Sequence, residues 1–322
     1  MSDLRLAGLL IGALVLLSPD ASAQSWPSKP IRVVVPFAPG GAVDRIGRIV
    51  AGSLTESLGQ KVIIENVAGA GGLIGLAQVA RAEPDGYTLT ITSFSSLAIA
   101  PAINPNVEYD PLHDFVPIAY LGGAPNTFVV SQSSGVRSLA DLIERSRRDG
   151  QSIAFGSTGH GTLGHLAGAY FGLKAGVPVE HAPYKGSGMA VTDVVGGHLM
   201  LASVSLASAL GNIRAGTVVP IALSSAKRMR EFPDLPTFRE LGFPELEVTS
   251  WFAICGPASM PKEIVKQLNR EIVRVLQQPE VQKRLEQEAF EVDYMSQEAL
   301  ADFVKSEITR WAPIAKSILA KR

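Results

Sequence analysis

Two glycines behind a run of β-branched residues constrain this chain more than any other feature. Val33-Val34-Val35 leads into Pro36-Phe37-Ala38-Pro39-Gly40-Gly41, and the chain turns amphipathic from Asp44. An apolar β-branched run, a Pro/Gly break and a helically periodic segment read as a buried strand, a tight loop and a helix. Adjacent glycines let the backbone approach a ligand closely and adopt positive φ. The first amides of the following helix have no intrahelical partner, and the helix dipole favours negative charge beside them. No Lys or Arg precedes Arg45 in the loop, so an anion held there is held by backbone amides. Taken alone, the stretch is explained equally well as an ordinary strand-to-helix connection.

A second unit of the same kind follows. A short strand at residues 152–155 enters Gly156-Ser157-Thr158-Gly159-His160-Gly161, and a helix starts near Thr162. Ser157, Thr158 and Thr162 add hydroxyls to a flexible backbone. Facing the first loop across a cleft, this loop completes a cage of amides and hydroxyls for one carboxylate. The plainer explanation is a structural turn with Thr162 as N-cap.

The elements around these loops alternate. Strands at residues 31–35, 62–65 and 87–92 are separated by helices at 44–58 and 73–82, an order that predicts a parallel sheet with helices on its faces. Residues 93–115, with Pro101, Pro105 and Pro111, read as irregular. A strand at 116–121 breaks at Gly122-Gly123-Ala124-Pro125, and a new one starts at Thr127. Ser138, with Asp141 at the third position, caps a helix. Strands at 178–182, 199–204 and 218–223 follow, then a polar, Pro-rich linker at 225–247. A strand at 248–254 and helices from Pro261, from Val281 and behind Ser296 complete the chain. The expected fold is α/β, with two domains of mostly parallel sheet flanked by helices. Residues 24–124 plus 247–322 form domain 1, residues 125–246 form domain 2, and the ligand cleft lies between them.

The 322 residues, 46% of them apolar, suffice for two cores. Residues 1–23 carry Arg5, an apolar run at 6–17 and Ala21-Ser22-Ala23, the pattern of a secretory signal and hence of a periplasmic protein. The run is short for a transmembrane helix. Of 29 basic and 30 acidic residues, one basic and two acidic lie in that segment, so the remainder is formally neutral. With no basic run, nucleic acid and anionic membrane surfaces are excluded as partners. The single cysteine, Cys255, forms no internal disulfide and reads as a buried inert thiol.

Other chemistries find less support. Gly159-His160-Gly161-Thr162-Leu163-Gly164 matches a dinucleotide pattern, but the acidic residue expected downstream, Glu180, is misplaced and the chain is exported. No cofactor is expected. His160, His165, His181 and Asp193 lack metal-ligand spacing, so no metal is expected either. A hydrolase triad lacks its elbow, because Phe155 stands where the first glycine belongs. In Tyr184-Lys185-Gly186-Ser187-Gly188, Tyr184 either walls the cleft or packs, and Lys185 either attracts an anion or is solvated. Ser93 follows the third strand at its C-terminal end, where open α/β sheets bind ligands. Trp251 and Phe252 belong to the core or to the cleft.

Together these residues resemble the Bug family, the extracytoplasmic solute receptors of tripartite tricarboxylate transporters. The resemblance rests on Trp26-Pro27-Ser28-Lys29-Pro30-Ile31, Pro36-Phe37-Ala38-Pro39-Gly40-Gly41 with Asp44, and Glu65-Asn66 before Gly69-Ala70-Gly71-Gly72. It continues through Asp85-Gly86-Tyr87-Thr88-Leu89, Tyr184-Lys185-Gly186-Ser187-Gly188, Asp193 and Gly196-Gly197. It implies a type II periplasmic-binding-protein fold that closes on a small carboxylate, without catalysis, and serves a membrane transporter or a sensor. A monomer is expected. The implied ligand contacts are Phe37, Ala38, Gly40, Gly41, Asp44, Ser157, Thr158, Gly159 and His160, with Asp44 holding water and the loop rather than the anion; Pro39 between them is counted with the site. Ser93, Tyr184, Asp193, Val204 and Trp251 complete the expected site.

Met189 stands where the family has Pro, and Met200 and Val204 replace two acidic residues. An amino group on the ligand then loses its natural partner, which favours a dicarboxylate or aromatic acid over an amino acid. In the amide cage, Gly40→Val is expected to fill the anion position. The alternative is an exported serine hydrolase of small esters using Ser157 or Ser187 with His160. A purely structural periplasmic protein is the third possibility.

Overall fold

The computed structural model describes residues 26–319. The expected signal segment, residues 1–23, lies outside them.

The first half is built as the periodicity predicts. Strand β1 (Ile31–Val35) precedes helix α1 (Ala42–Leu58), β2 (Val62–Asn66), α2 (Leu73–Ala80) and β3 (Thr88–Ser93). β1 pairs in parallel with both β2 and β3. α1 buries Ile46, Ile49, Val50 and Leu54, each contributing about 1.5–3 kcal/mol on burial.

The stretch expected to be irregular is helical instead. Residues 95–99 form a π-turn that runs into the short α3 (Ala100–Ile103). Phe94, Leu97, Ala98 and Ile99 are all buried, as are Ser95 and Ser96, so this segment is buried on every side and carries no period to read.

The expected break at Gly122 is also absent. β4 (Phe115–Ser131) is one strand of 17 residues. Gly122, at φ +120°, absorbs a register shift there and leaves room for the Glu291 carbonyl, which a Cβ would meet at 2.1 Å.

The second half contains α4 (Leu139–Asp149), β5 (Ile153–Ser157), α5 (Leu163–Ala175), β6 (Val179–Pro183), α6 (Ser187–Val195), β7 (Leu201–Ser205), α7 (Leu206–Arg214) and β8 (Val218–Leu223). β9 (Thr249–Pro257), α8 (Lys262–Leu276), α9 (Pro279–Glu286) and α10 (Gln297–Leu319) return to the first half. The strand order is β2-β1-β3-β9-β4-β7-β5-β6, with β8 on β4. Both ends of the sheet are parallel. The centre is antiparallel, because β9 runs against β3 and β4, and β4 runs against β7 and β8. Residues 115–125 of β4 pair with β9, and residues 126–131 pair with β7 and β8. The sheet therefore passes from one half to the other inside a single strand.

Helices α1, α8 and α9 cover one face of the first half, and α2 and α10 the other. The segment at 225–247 is no linker. Phe238 is fully buried with its ring 4.8 Å from that of Phe128, Leu246 is buried in the same cluster, and Leu235 is buried in a separate one with Leu206 and Leu210. Its prolines set turns while its apolar residues seal the second core.

Three caps form as read: Ser138 accepts from the Asp141 amide at 3.1 Å, Thr162 from His165 at 3.3 Å, and Ser296 from Ala299 at 3.2 Å. Burial pushes the Cys255 thiol up to about 12, so it stays protonated. Among the described residues no helix is long and apolar enough to cross a membrane.

Candidate functional site

One cavity lies where the two halves of the sheet meet, and four helices begin on its wall. The first is α1. Phe37, Ala38 and Gly41, with Ala42 and Val43 of the first turn, line the cavity. Gly41 is the N-cap and supplies no side-chain cap.

Asp44 sits beneath this loop, nearly fully buried. Its carboxylate accepts the Gly40 amide at 2.9 Å, the Asn66 side-chain amide at 3.0 Å and the Arg48 guanidinium at 2.9 Å. Asn66 also donates to the Phe37 carbonyl at 3.1 Å. Burial by itself raises the Asp44 carboxyl; Arg48, Gly40 and Asn66 together outweigh it and hold the group below the usual carboxylate range. Asp44 thus shapes the loop and does not reach the cavity.

Pro39 and Gly40 are exposed at the outer edge of the loop, off the cavity wall. Gly40 has φ +77° with nothing within 4 Å of a Cβ, so a side chain there strains the backbone and does not fill the anion position.

The second helix is α5. Thr158, Leu163 and Gly164 face the cavity. The Leu163 amide donates to Ser95 Oγ at 3.0 Å and joins this loop to the first half. Ser157 is fully buried behind Thr158, with its Oγ 2.7 Å from His181 Nε2. Gly159, at φ +122°, turns the chain.

His160 lines a different groove, together with Ala100, Ile103, His165 and His181. Ring nitrogens of the three histidines lie within 4.8 Å of one another. His165 and His181, however, are stacked at 3.9 Å and 14°. In-plane lone pairs of parallel rings do not converge on one ion, so this is a stack rather than a formed metal centre. Burial, then His165 and His160, push His181 down to about 3, which keeps it neutral. Asp193, considered with them from the sequence, lies elsewhere.

The third helix is α6, where Gly186 and Ser187 line the cavity. A Cβ on Gly186 would lie 3.4 Å from that of Ala38, so the two loops face each other closely. Tyr184 and Asp193 are off the cavity wall. The Tyr184 hydroxyl donates to Asp193, which braces the start of α6. Burial and the Asp193 charge push this phenol up to about 12. Lys185 is exposed and off the wall.

The fourth helix is α7. Val204 lines the cavity beside Ser203, Ser205 and Ser208. Asn126, at the point where β4 changes halves, donates to Ser203 Oγ at 2.9 Å. Ser93, Ser95, Ser250 and Phe252 close the remaining wall.

Trp251 points away from the cavity. It is buried in the α10 core, its ring 5.5 Å from that of Phe303 and its Nε1 donating to Glu307 at 3.0 Å. Strand alternation assigns the cavity to Phe252 instead.

The sequence reading therefore placed Phe37, Ala38, Gly41, Ser93, Thr158 and Val204 on the wall and missed Asn126, Ser187 as a lining residue, Ser203, Ser205, Ser208 and Ser250. Ser203 with Ser205, and Ser250 with Phe252, sit at period two on strand ends. That spacing was the available signal. No Asp, Glu, Lys, Arg or His side chain lies on this wall among the described residues.

Residues 46–319 match the family described as the tripartite tricarboxylate transporter family receptor. The chain belongs to this receptor family. It is 34% identical to protein BugT of Bordetella pertussis over 319 residues, covering 99% of this chain and 98% of that one. Among solved structures it is similar to Rpa4515 of R. palustris, determined with adipate, at 33% identity and a TM-score of 0.86, covering 91% of this chain and 98% of that one. It is also similar to MatC of Rhodopseudomonas palustris with bound malate, at 29% identity and a TM-score of 0.85, covering 90% of this chain and all of that one.

Proposed function

We propose that this receptor captures a small organic carboxylate in the periplasm and presents it to a membrane transporter or a sensor. One observation carries the reading: four helix N-termini open on a cavity whose wall bears no cationic side chain. Oriented amides and dipoles then supply the attraction for an anion. The adipate and malate held by the two solved relatives are of this chemical class.

The space open to the centres of water-sized spheres is about 60 Å³. A short aliphatic acid suits it better than an aromatic one. With no carboxylate on the wall, an amino acid's ammonium has no counter-charge. Tight calorimetric binding of aspartate or glutamate would sink that preference.

Residues 24–124 with 247–322, and residues 125–246, would act as two lobes closing on the ligand. Their connections are β4, at Pro125–Asn126, and the start of β9. Ser224 staples these connections: its Oγ accepts the Asn126 amide at 2.8 Å and donates to the Val248 carbonyl at 2.6 Å.

The hydrolase alternative named Ser157 or Ser187 with His160; the serine–histidine contact present is Ser157 with His181 instead. Ser157 is fully buried, and His181 Nδ1 is buried without a hydrogen-bond partner. The pair therefore lacks both substrate access and the orienting third group of a triad. A melting-temperature screen with short mono- and dicarboxylates, run beside a screen with generic esters, tests the reading. A carboxylate-specific rise without ester turnover supports it; no rise with any acid overturns it.

A further inference from the structure

The loop at residues 158–162 stands between the cavity and the histidine groove: Thr158 lies on the wall of the first and His160 on the wall of the second. It also meets the first half of the chain backbone to backbone. A Cβ on Gly71 would lie 2.3 Å from the His160 carbonyl, and one on Gly161 would lie 2.7 Å from Ala100 Cα. Together with the Leu163–Ser95 bond, these are contacts that any parting of the halves must break.

The histidines hold this loop from behind. The Gly161 amide donates to His165 Nδ1 at 3.3 Å. His181 Nε2 lies 2.7 Å from Ser157 Oγ, which also accepts the Gly159 amide at 3.2 Å. The His165 and His181 rings stack at 3.9 Å, and His160 stands edge-on to both. A proton on His165 Nδ1 would turn the acceptor of the Gly161 amide into a second donor. A proton on His181 would put an N–H at Nδ1, which is buried without a partner, and a charge against the face of His165. Burial, with His165 and His160 beside it, keeps His181 neutral.

No charged side chain on the groove wall offsets such a proton. The first half contributes Ala70, Leu73, Ala100, Ile103 and Asn104, and α10 contributes Leu319. Glu180, beside His181 on β6, accepts from Ser152 at 2.7 Å on the other face of the strand. On α5, Tyr170 and Lys174 engage Glu245 off the groove wall, and Lys316 of α10 is exposed. Proton uptake is therefore penalised while the halves are together and relieved when water reaches the rings. Protons favour the loosened form in the window below the ordinary histidine value of 6.5.

We propose that His160, His165 and His181 form a proton-sensitive clasp, which holds the loop at 158–162 against the first half while neutral and releases it on acidification, so that the receptor gives up its ligand more readily in acid. The proposal rests on the reading of two lobes that close on a carboxylate.

The test is calorimetric titration of the full mature chain with malate and with adipate, between about pH 7.5 and about pH 5.5, in buffers of different ionisation enthalpy. Binding should release up to about one proton beyond those carried by the acid itself, and affinity should fall by up to about tenfold per pH unit. In the His165→Gln, His181→Gln double variant both effects should vanish. His160→Gln, on the exposed ring, is the milder variant and should reduce them. A purely structural role predicts the same loss of affinity at every pH. No proton release by the parent, or an unchanged release in a folded variant, overturns the clasp and leaves the carboxylate reading standing.

If neither acid binds, the choice of ligand fails, and the clasp is decided without one. Spin labels at Glu56→Cys on α1 and Glu144→Cys on α4, both exposed, report the distance between the halves, while the buried Cys255 stays unlabelled. A distance that lengthens as pH falls in the parent and not in the double variant supports the clasp; a constant distance overturns it.

Discussion

Arg45 donates from Nη2 to the Ala207 carbonyl at 2.9 Å, although the two residues lie 162 positions apart. The same guanidinium bonds the Gly40 carbonyl and, through Nε, meets Glu288 at 2.7 Å. One side chain thus ties the loop before α1 to the first turn of α7. Arg45→Met keeps the apolar stem and removes these donors. One such bond is worth about 0.5–1.5 kcal/mol net, so affinity for the bound acid should weaken about three- to tenfold, mainly through faster release. Stopped-flow dissociation measures it; an unchanged off-rate would show that the contact does not hold the cleft closed.

Gly40 and Gly41 should respond differently to substitution. Gly41, on the cavity wall at φ −73°, tolerates a Cβ in its backbone, with Ala38 O at 3.4 Å as the near contact. Gly41→Val should cut affinity at least a hundredfold (about 2.7 kcal/mol) while leaving the fold intact. Gly40→Ala places a side chain in open space at positive φ and should cost about 1–2 kcal/mol of stability, with a smaller effect on binding. Calorimetry and melting curves on both variants decide it; the opposite ranking for binding refutes the assignment of the wall.

Asp44→Asn should destabilise the loop by about 1–3 kcal/mol, because the Gly40 amide keeps an acceptor while Arg48 loses its charge partner. The Asp44 carboxyl lies below its ordinary value of 3.8 in the folded protein. Its stabilisation is therefore present above that ordinary value and is lost as pH falls through the folded one. Acid denaturation of the variant should show a shallower final limb than the parent, and identical limbs would exclude this role.

His181 makes stability depend on pH in a window just above that of Asp44. Its ordinary value of 6.5 falls to about 3 in the fold, so the folded chain binds fewer protons than the unfolded chain between them. Stability supplied by the neutral ring is present above pH 6.5 and drains away as pH falls toward 3. In His181→Gln the stability slope across that window should shrink by about one proton, ~1.4 kcal/mol per pH unit. Urea denaturation at several pH values measures it, and an unchanged slope would place the titrating group elsewhere.

The two glycine-containing loops, their helices and the caps at Ser138, Thr162 and Ser296 were readable because each is a local pattern. What the sequence concealed was mostly non-local. Whether Trp251 or Phe252 faces the cavity depends on which side of β9 meets α10, and alternation alone leaves both open. Gly122 looks like a strand terminator until the Glu291 backbone is seen lying against it. Gly40 is needed for its dihedral angle rather than for closeness to a ligand, and only the path of the loop distinguishes these. Ser205 and Ser208 are ordinary serines in the text; they become conspicuous when burial leaves their hydroxyls without partners.

β4 belongs to both halves of the sheet as one continuous strand of 17 residues. A molecule so made has no free joint. Relative rotation of the halves must be stored as torsion spread along hydrogen-bonded ribbon, which behaves as a spring with a resting angle. In the closure proposed above, opening and closing would be elastic excursions about that angle, and the work of bending would be returned when the ligand leaves.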